Sequence, residues 1–139
     1  MNRLSIKEPY IKINLILAGI IACILIYSGL FSPEKGNYPI PSNIKTISGK
    51  SPASDGLSRA FSAIVRFRFE EARRYNTHSI QVFSFFLLQF AFRIVAIPVF
   101  QVIQKKKAWL AFDILLSILL FVYAFSGFIR EYISAILPG

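Results

Sequence analysis

The chain is predicted to be an all-α membrane protein, with three transmembrane helices plus an amphipathic interfacial helix in the long loop between the first and second, forming a single membrane domain over residues 1–139. Three observations lead there. Hydrophobic residues make up 55% of the chain and its mean hydropathy is +0.55, beyond the range of an ordinary soluble domain. Three apolar runs each reach the length needed to cross a hydrocarbon core, which is about 20 residues for a helix. The connection between the first two runs is about fifty residues long, and its second half switches to a helical spacing of apolar side chains.

The first span reads as 13–31, uncharged, with only Asn14 and Ser28 as hydrogen-bonding side chains of note and Ser32-Pro33 as its stop. Ile20-Ile21-Ala22-Cys23 fits a loose lipoprotein pattern, yet Ile24-Leu25-Ile26-Tyr27 carries the apolar run onward, so the segment reads as an uncleaved span with a buried, inert thiol. The loop covers 32–79. Ser32 to Asp55 is rich in Pro, Gly, Ser and Asn and reads as irregular chain. From Gly56 to Arg74, Phe61, Ile64, Val65, Phe69 and Ala72 mark one helical face, with room for a break near Phe67, while Arg59, Arg66, Glu70, Arg73 and Arg74 largely take others. Asn76 or Ser79 offers an N-cap for the second span, 80–103. The third, 108–129, follows Gln104-Lys105-Lys106-Lys107, a link short enough to force an antiparallel hairpin. Tyr10, Tyr27, Trp109 and Tyr132 fall near span ends, where amphipathic rings favour the headgroup level.

The net charge of +9 is carried between apolar spans rather than on a soluble face, so anionic membrane lipids are the expected partner and nucleic acid is not. Arg3, Lys7, Lys12 and Lys105 to Lys107 place the amino terminus in the cytoplasm, against a long loop that holds eight basic residues to their six.

Arg93 lies near the middle of the second span, where an ionisable group costs several kcal/mol without a partner. Gln89 shares its face one turn earlier. Asp113 in the third span is the expected counter-charge, although Arg93 lies a few residues deeper and must reach toward the short loop. Pro98 frees the carbonyl of Ile94 as a further acceptor. The bland account of the pair is a device for helix register; a ligand or partner role is the alternative. The second candidate is Ser51 to Arg59, where Gly56, Leu57, Ser58 and Arg59 open a helix with free N–H groups beside a fixed positive charge, suited either to a simple cap or to a phosphate-bearing headgroup. His78, the single histidine, has no companion ligands and reads as an interfacial polar residue. No catalytic constellation, metal site or cofactor motif is expected.

Gly56-Leu57-Ser58-Arg59-Ala60-Phe61, Ala63-Ile64-Val65-Arg66, Phe69-Glu70-Glu71-Ala72 and Tyr75-Asn76 resemble a family of small bacterial inner-membrane proteins, a domain of unknown function with a Cys-Pro-x-Cys-Gly-Leu-Thr-Arg signature before a helix and a further span. The stretch from Tyr38-Pro39 to Arg93, about 40% of the chain, is similar to its Bacteroidetes branch. Ser51 stands nearest the first signature cysteine and Ser54-Asp55 near the second, Phe67 takes the place of a frequent glycine, and Thr77 that of a frequent proline. The resemblance implies a bacterial inner-membrane location and a structural or binding motif at Gly56 to Arg59 and Asn76. It brings no thiol chemistry, because both cysteines are missing. The expected function is that of a small non-enzymatic accessory protein that binds anionic lipid or a larger membrane complex; the rival is an enzyme or transporter-like protein acting on an anionic lipid-linked substrate, which would need a cavity joining Arg59 to Arg93.

Overall fold

The computed structural model describes residues 8–31 and 56–136. The expectations for Ser32 to Asp55 and for Arg3 and Lys7 fall outside the described residues.

Five helices follow in order: α1 (Pro9–Leu30), α2 (Leu57–Val65), α3 (Phe69–Tyr75), α4 (Ser79–Val102) and α5 (Lys106–Ile136). The helices α1, α4 and α5 are long and apolar enough to cross a membrane, so the protein is a multi-pass membrane protein with two short helices between its first and second spans. Helix α1 begins four residues before the expected start, because Pro9 occupies its first turn, where a missing N–H costs nothing. Helix α5 continues past Ile129 to Ile136, with no breaker in between, and its 31 residues run about 46 Å, longer than a hydrocarbon core of about 30 Å.

Helix α4 is the central element. Ser79, Val82, Gln89, Arg93, Ala96, Ile97 and Phe100 form its buried stripe at spacings of three, four and seven, and Tyr10, Ile11, Asn14, Ala18, Ile21 and Ser28 form the matching stripe of α1. On its other side α4 meets α5 through aromatic rings: Phe85 lies edge-on to Phe121 and Phe125 at 6.1 and 5.8 Å, and Phe92 stacks on Trp109 at 6.1 Å.

The break for which the sequence left room near Phe67 is present, so the amphipathic segment forms two helices. Helix α2 ends where the N–H of Arg68 bonds to the carbonyl of Ala63 and that of Phe67 to Ile64, each at 2.9 Å, and Phe67 takes the left-handed conformation with φ +61°. This paired pattern terminates a helix by satisfying carbonyls left without intrahelical donors. The break resets the helical phase. Phe61, Ile64 and Ala72 are buried as the periodicity requires, together with Ala60, Ser62 and Ala63, whereas Val65 and Phe69 turn out to the surface. Neither proposed cap starts α4. Its N-cap is His78, whose backbone N–H is held by Asn76 Oδ1 at 3.0 Å, while Ser79 Oγ donates back to the Ala72 carbonyl at 3.2 Å.

The α2–α3 pair packs on the carboxyl end of α1 and the amino end of α4, its core made by Ala60, Phe61, Ala63, Ile64 and Ala72 against Val82. Side chains fasten it to α1. Ser62 Oγ lies 2.8 Å from the carbonyl of Ser28 and 2.6 Å from that of Phe31, and Arg66 donates to the carbonyls of Phe31 at 3.2 Å and Gly29 at 3.1 Å. The end of a helix carries such carbonyls without partners and a partial negative charge, so a guanidinium is a fitting cap.

Candidate functional site

The polar cluster inside the spans is built from three helices that each contribute residues four apart. Helix α1 supplies Tyr10 and Asn14, α4 supplies Gln89 and Arg93, and α5 supplies Trp109, Asp113 and Ser117. Spacing of four places each set on one helical face, so rotating that face inward delivers all of its polar groups together.

Arg93 is the centre, 7% exposed, and the four hydrogens of its terminal nitrogens all have acceptors. Nη1 donates to Asp113 Oδ2 at 2.8 Å and Asn14 Oδ1 at 2.9 Å; Nη2 donates to Ser117 Oγ at 2.7 Å and Gln89 Oε1 at 3.1 Å. The carbonyl freed by Pro98 takes none of these bonds. Asp113, 4% exposed, also accepts from the Tyr10 hydroxyl at 2.7 Å on Oδ2 and from Ser117 at 3.2 Å on Oδ1. Trp109 Nε1 donates to the Tyr10 oxygen at 2.9 Å, and Asn14 Nδ2 to the Tyr10 carbonyl at 2.9 Å. One unit positive and one unit negative charge thus sit together in hydrogen-bonded surroundings, the condition under which a buried pair is tolerated. Gln89 Nε2 is the one buried side-chain polar atom among the described residues without an acceptor, because its carbonyl oxygen is committed to Arg93.

Tyr10 and Trp109 have their rings near span ends but turn their polar atoms inward: the Tyr10 hydroxyl donates to Asp113, a carboxylate away from water being a stronger acceptor than an interfacial carbonyl or water, and Trp109 Nε1 donates to the Tyr10 oxygen. Tyr132 is exposed, and Tyr27 lies against Phe31 at 4.5 Å. Cys23 is exposed on α1 rather than buried. Sequence reading missed Asn14 and Ser117 as partners of Arg93, and Tyr10 and Trp109 as members of the same cluster, although the spacing of four within each helix was visible.

The second candidate is organised around Tyr75. Gly56 adopts φ +76°, and a Cβ there would stand 2.5 Å from the carbonyl oxygen of Tyr75, so only glycine allows α2 to start this close to the end of α3. The guanidinium of Arg59 lies over the Tyr75 ring at 5.2 Å, and the Tyr75 hydroxyl donates to Glu71 at 3.0 Å. Leu57 packs against the α2–α3 core and Ser58 is exposed. Arg66, on the polar side of the segment, is occupied by the carbonyls of α1. Arg73 and Arg74 are exposed on α3 with no acidic partner among the described residues.

A groove of about 430 Å³ runs beside Ser58, lined by Cys23, Ile24, Tyr27, Ser28, Leu57, Phe61 and Phe86, and neither Arg59 nor Arg93 reaches it. His78 faces α5, with Nε2 3.0 Å from Glu131 Oε1 and its ring 5.1 Å from that of Phe128. No group of three or more histidine, cysteine, aspartate or glutamate side chains able to hold a metal ion occurs among the described residues. Compared with known protein families, curated proteins and solved structures, the chain shows no match.

Proposed function

We propose that the protein is a non-enzymatic accessory subunit of the bacterial inner membrane, amino terminus in the cytoplasm, whose α2–α3 pair binds anionic lipid headgroups and presents that face to a larger membrane complex. The observation that carries this reading is the contrast between its two sets of arginines. Arg93 is neutralised and enclosed by its own chain, whereas Arg73 and Arg74 stand exposed on a helix pair anchored by Ser62, Arg66 and Ser79. Residues 56–76 hold five arginines against two glutamates, and each basic residue near an anionic surface contributes about 1 kcal/mol of attraction. The planar guanidinium suits the oxygens of a phosphate better than an ammonium would. Arg59, beside the first turn of α2, adds to the same basic surface. The resemblance of Gly56 to Arg59 and Asn76 to small bacterial inner-membrane proteins agrees with this location. The rival reading, chemistry on an anionic lipid-linked substrate, calls for a cavity joining Arg59 to Arg93, and the groove beside Ser58 includes neither.

The test is purification in mild detergent followed by mass spectrometry of retained lipid and protein. Arg73→Gln with Arg74→Gln is expected to reduce retained anionic phospholipid several-fold while the unfolding temperature stays put. Equal retention in the variant and the parent would refute the headgroup reading.

A further inference from the structure

Phe67 combines three properties. It holds a left-handed backbone, φ +61°, which costs a bulky residue about 1–2 kcal/mol and which glycine adopts freely. Its side chain is 82% exposed, so packing within the protein does not offset that cost. It also stands in Val65-Arg66-Phe67-Arg68-Phe69, where apolar and basic residues alternate and all three apolar side chains are exposed. The two backbone bonds that close α2 hold this conformation, and glycine would make them without the cost, so a bulky exposed ring at this position points to a contact outside the chain.

The height of this segment in the membrane follows from its neighbours. Arg66 bonds to the carbonyl of Phe31, the C-cap of the first span, and Val65 Cγ1 lies 3.8 Å from where a Cβ on Gly29 would stand. Leu30, 74% exposed, is on the same stretch. Phe67 and Phe69, their rings 6.3 Å apart and edge to face, therefore project where the first span meets the headgroups. An exposed aromatic pair at that depth, with Arg68 between its members still exposed beside Glu71 and Arg66 held by the carbonyls of α1, matches a bilayer boundary, apolar below and polar above.

We propose that Phe67, with Val65 and Phe69, forms an aromatic knuckle inserted at the acyl–headgroup boundary of the leaflet reached by the carboxyl end of α1, the bilayer contact favouring a bulky ring where glycine would suit the backbone better. This deepens the headgroup reading, on which it rests for the choice of membrane surface, by naming the part of α2–α3 that enters the lipid. Its test uses the full chain with Cys23→Ser, in nanodiscs of phosphatidylcholine alone and of phosphatidylcholine with phosphatidylglycerol. Single cysteines Phe67→Cys, Leu30→Cys and Glu70→Cys carry a spin label, and collision with oxygen is compared with collision with a water-soluble nickel chelate. Position 67 should resemble position 30, with an oxygen preference several-fold above that at position 70. A label at 67 as open to nickel as one at 70 overturns the proposal, including the case in which a partner protein is what covers the knuckle. Phe67→Gly provides a second arm: in detergent it should unfold no sooner than the parent, whereas in nanodiscs the amides of residues 65–75 should exchange several-fold faster. Unchanged exchange in nanodiscs overturns the knuckle as well. Depth at 67 that is the same in both lipid mixtures supports the knuckle even if the Arg73 and Arg74 variants retain anionic lipid normally, an outcome that removes the headgroup reading alone.

Discussion

Removing either charge of the buried pair should destabilise the protein, and the two removals should differ. Arg93→Met deletes three bonds to the neutral acceptors of Asn14, Gln89 and Ser117, worth about 0.6 kcal/mol each on the scale of bonds within membrane bundles, plus the ion pair itself. The carboxyl of Asp113 left behind still has hydrogen-bond donors in Tyr10 and Ser117, which limits the loss to about 3 kcal/mol. Asp113→Leu leaves a guanidinium that cannot shed its charge, facing only neutral acceptors, and the expected loss is about 5 kcal/mol. Applied together, the substitutions leave no orphaned charge, so the double variant should lose about 3–4 kcal/mol where simple addition gives about 8. Reversible unfolding of the four proteins in mixed micelles, followed by circular dichroism at increasing fractions of denaturing detergent, measures each term. Equal losses for the two single variants, or a double variant as unstable as their sum, would refute the account of Arg93 and Asp113 as one coupled, internally satisfied unit.

Gly56→Ala should lose about 2 kcal/mol or more, from the left-handed backbone and the approach to the Tyr75 carbonyl together, and limited proteolysis should then cut within α2–α3. Arg66→Gln removes donors from the carbonyls of Gly29 and Phe31 at the carboxyl end of α1; the expected cost is about 1–2 kcal/mol, with faster amide exchange confined to residues 27–31, and unchanged exchange there would show that Ser62 alone suffices as the cap. In Gly127→Ala the new Cβ would lie 2.3 Å from ring atoms of His78, so the ring must leave Glu131. Adding His78→Ala should then restore most of the lost thermal stability, and a double variant no better than Gly127→Ala would place the clash elsewhere.

Three spans, a tight hairpin and an interior ion pair were legible because the rules behind them are local. In lipid every backbone polar group must be bonded within its own segment, so a run of about 20 apolar residues is a helix whatever surrounds it, and a charge in such a run must turn inward. Asp113, one hairpin away from Arg93, was then the available partner. Residues at a spacing of four around these two were equally local as a signal, yet Tyr10 and Trp109 also satisfied the rule for headgroup belts, and nothing in the chain chose between the two. That choice depends on how far each helix is rotated and at what depth it meets its neighbours, which packing between α1, α4 and α5 decides. The short helices show the same division. Their apolar period was visible, but Val65, the last residue of α2, and Phe69, re-phased by the break at Phe67, lie on the surface, and the spare carbonyls at the end of α1 claimed Arg66. A helix end some thirty residues away has no signature in the local period of α2, so only tertiary structure could assign that arginine to capping while leaving Arg73 and Arg74 exposed.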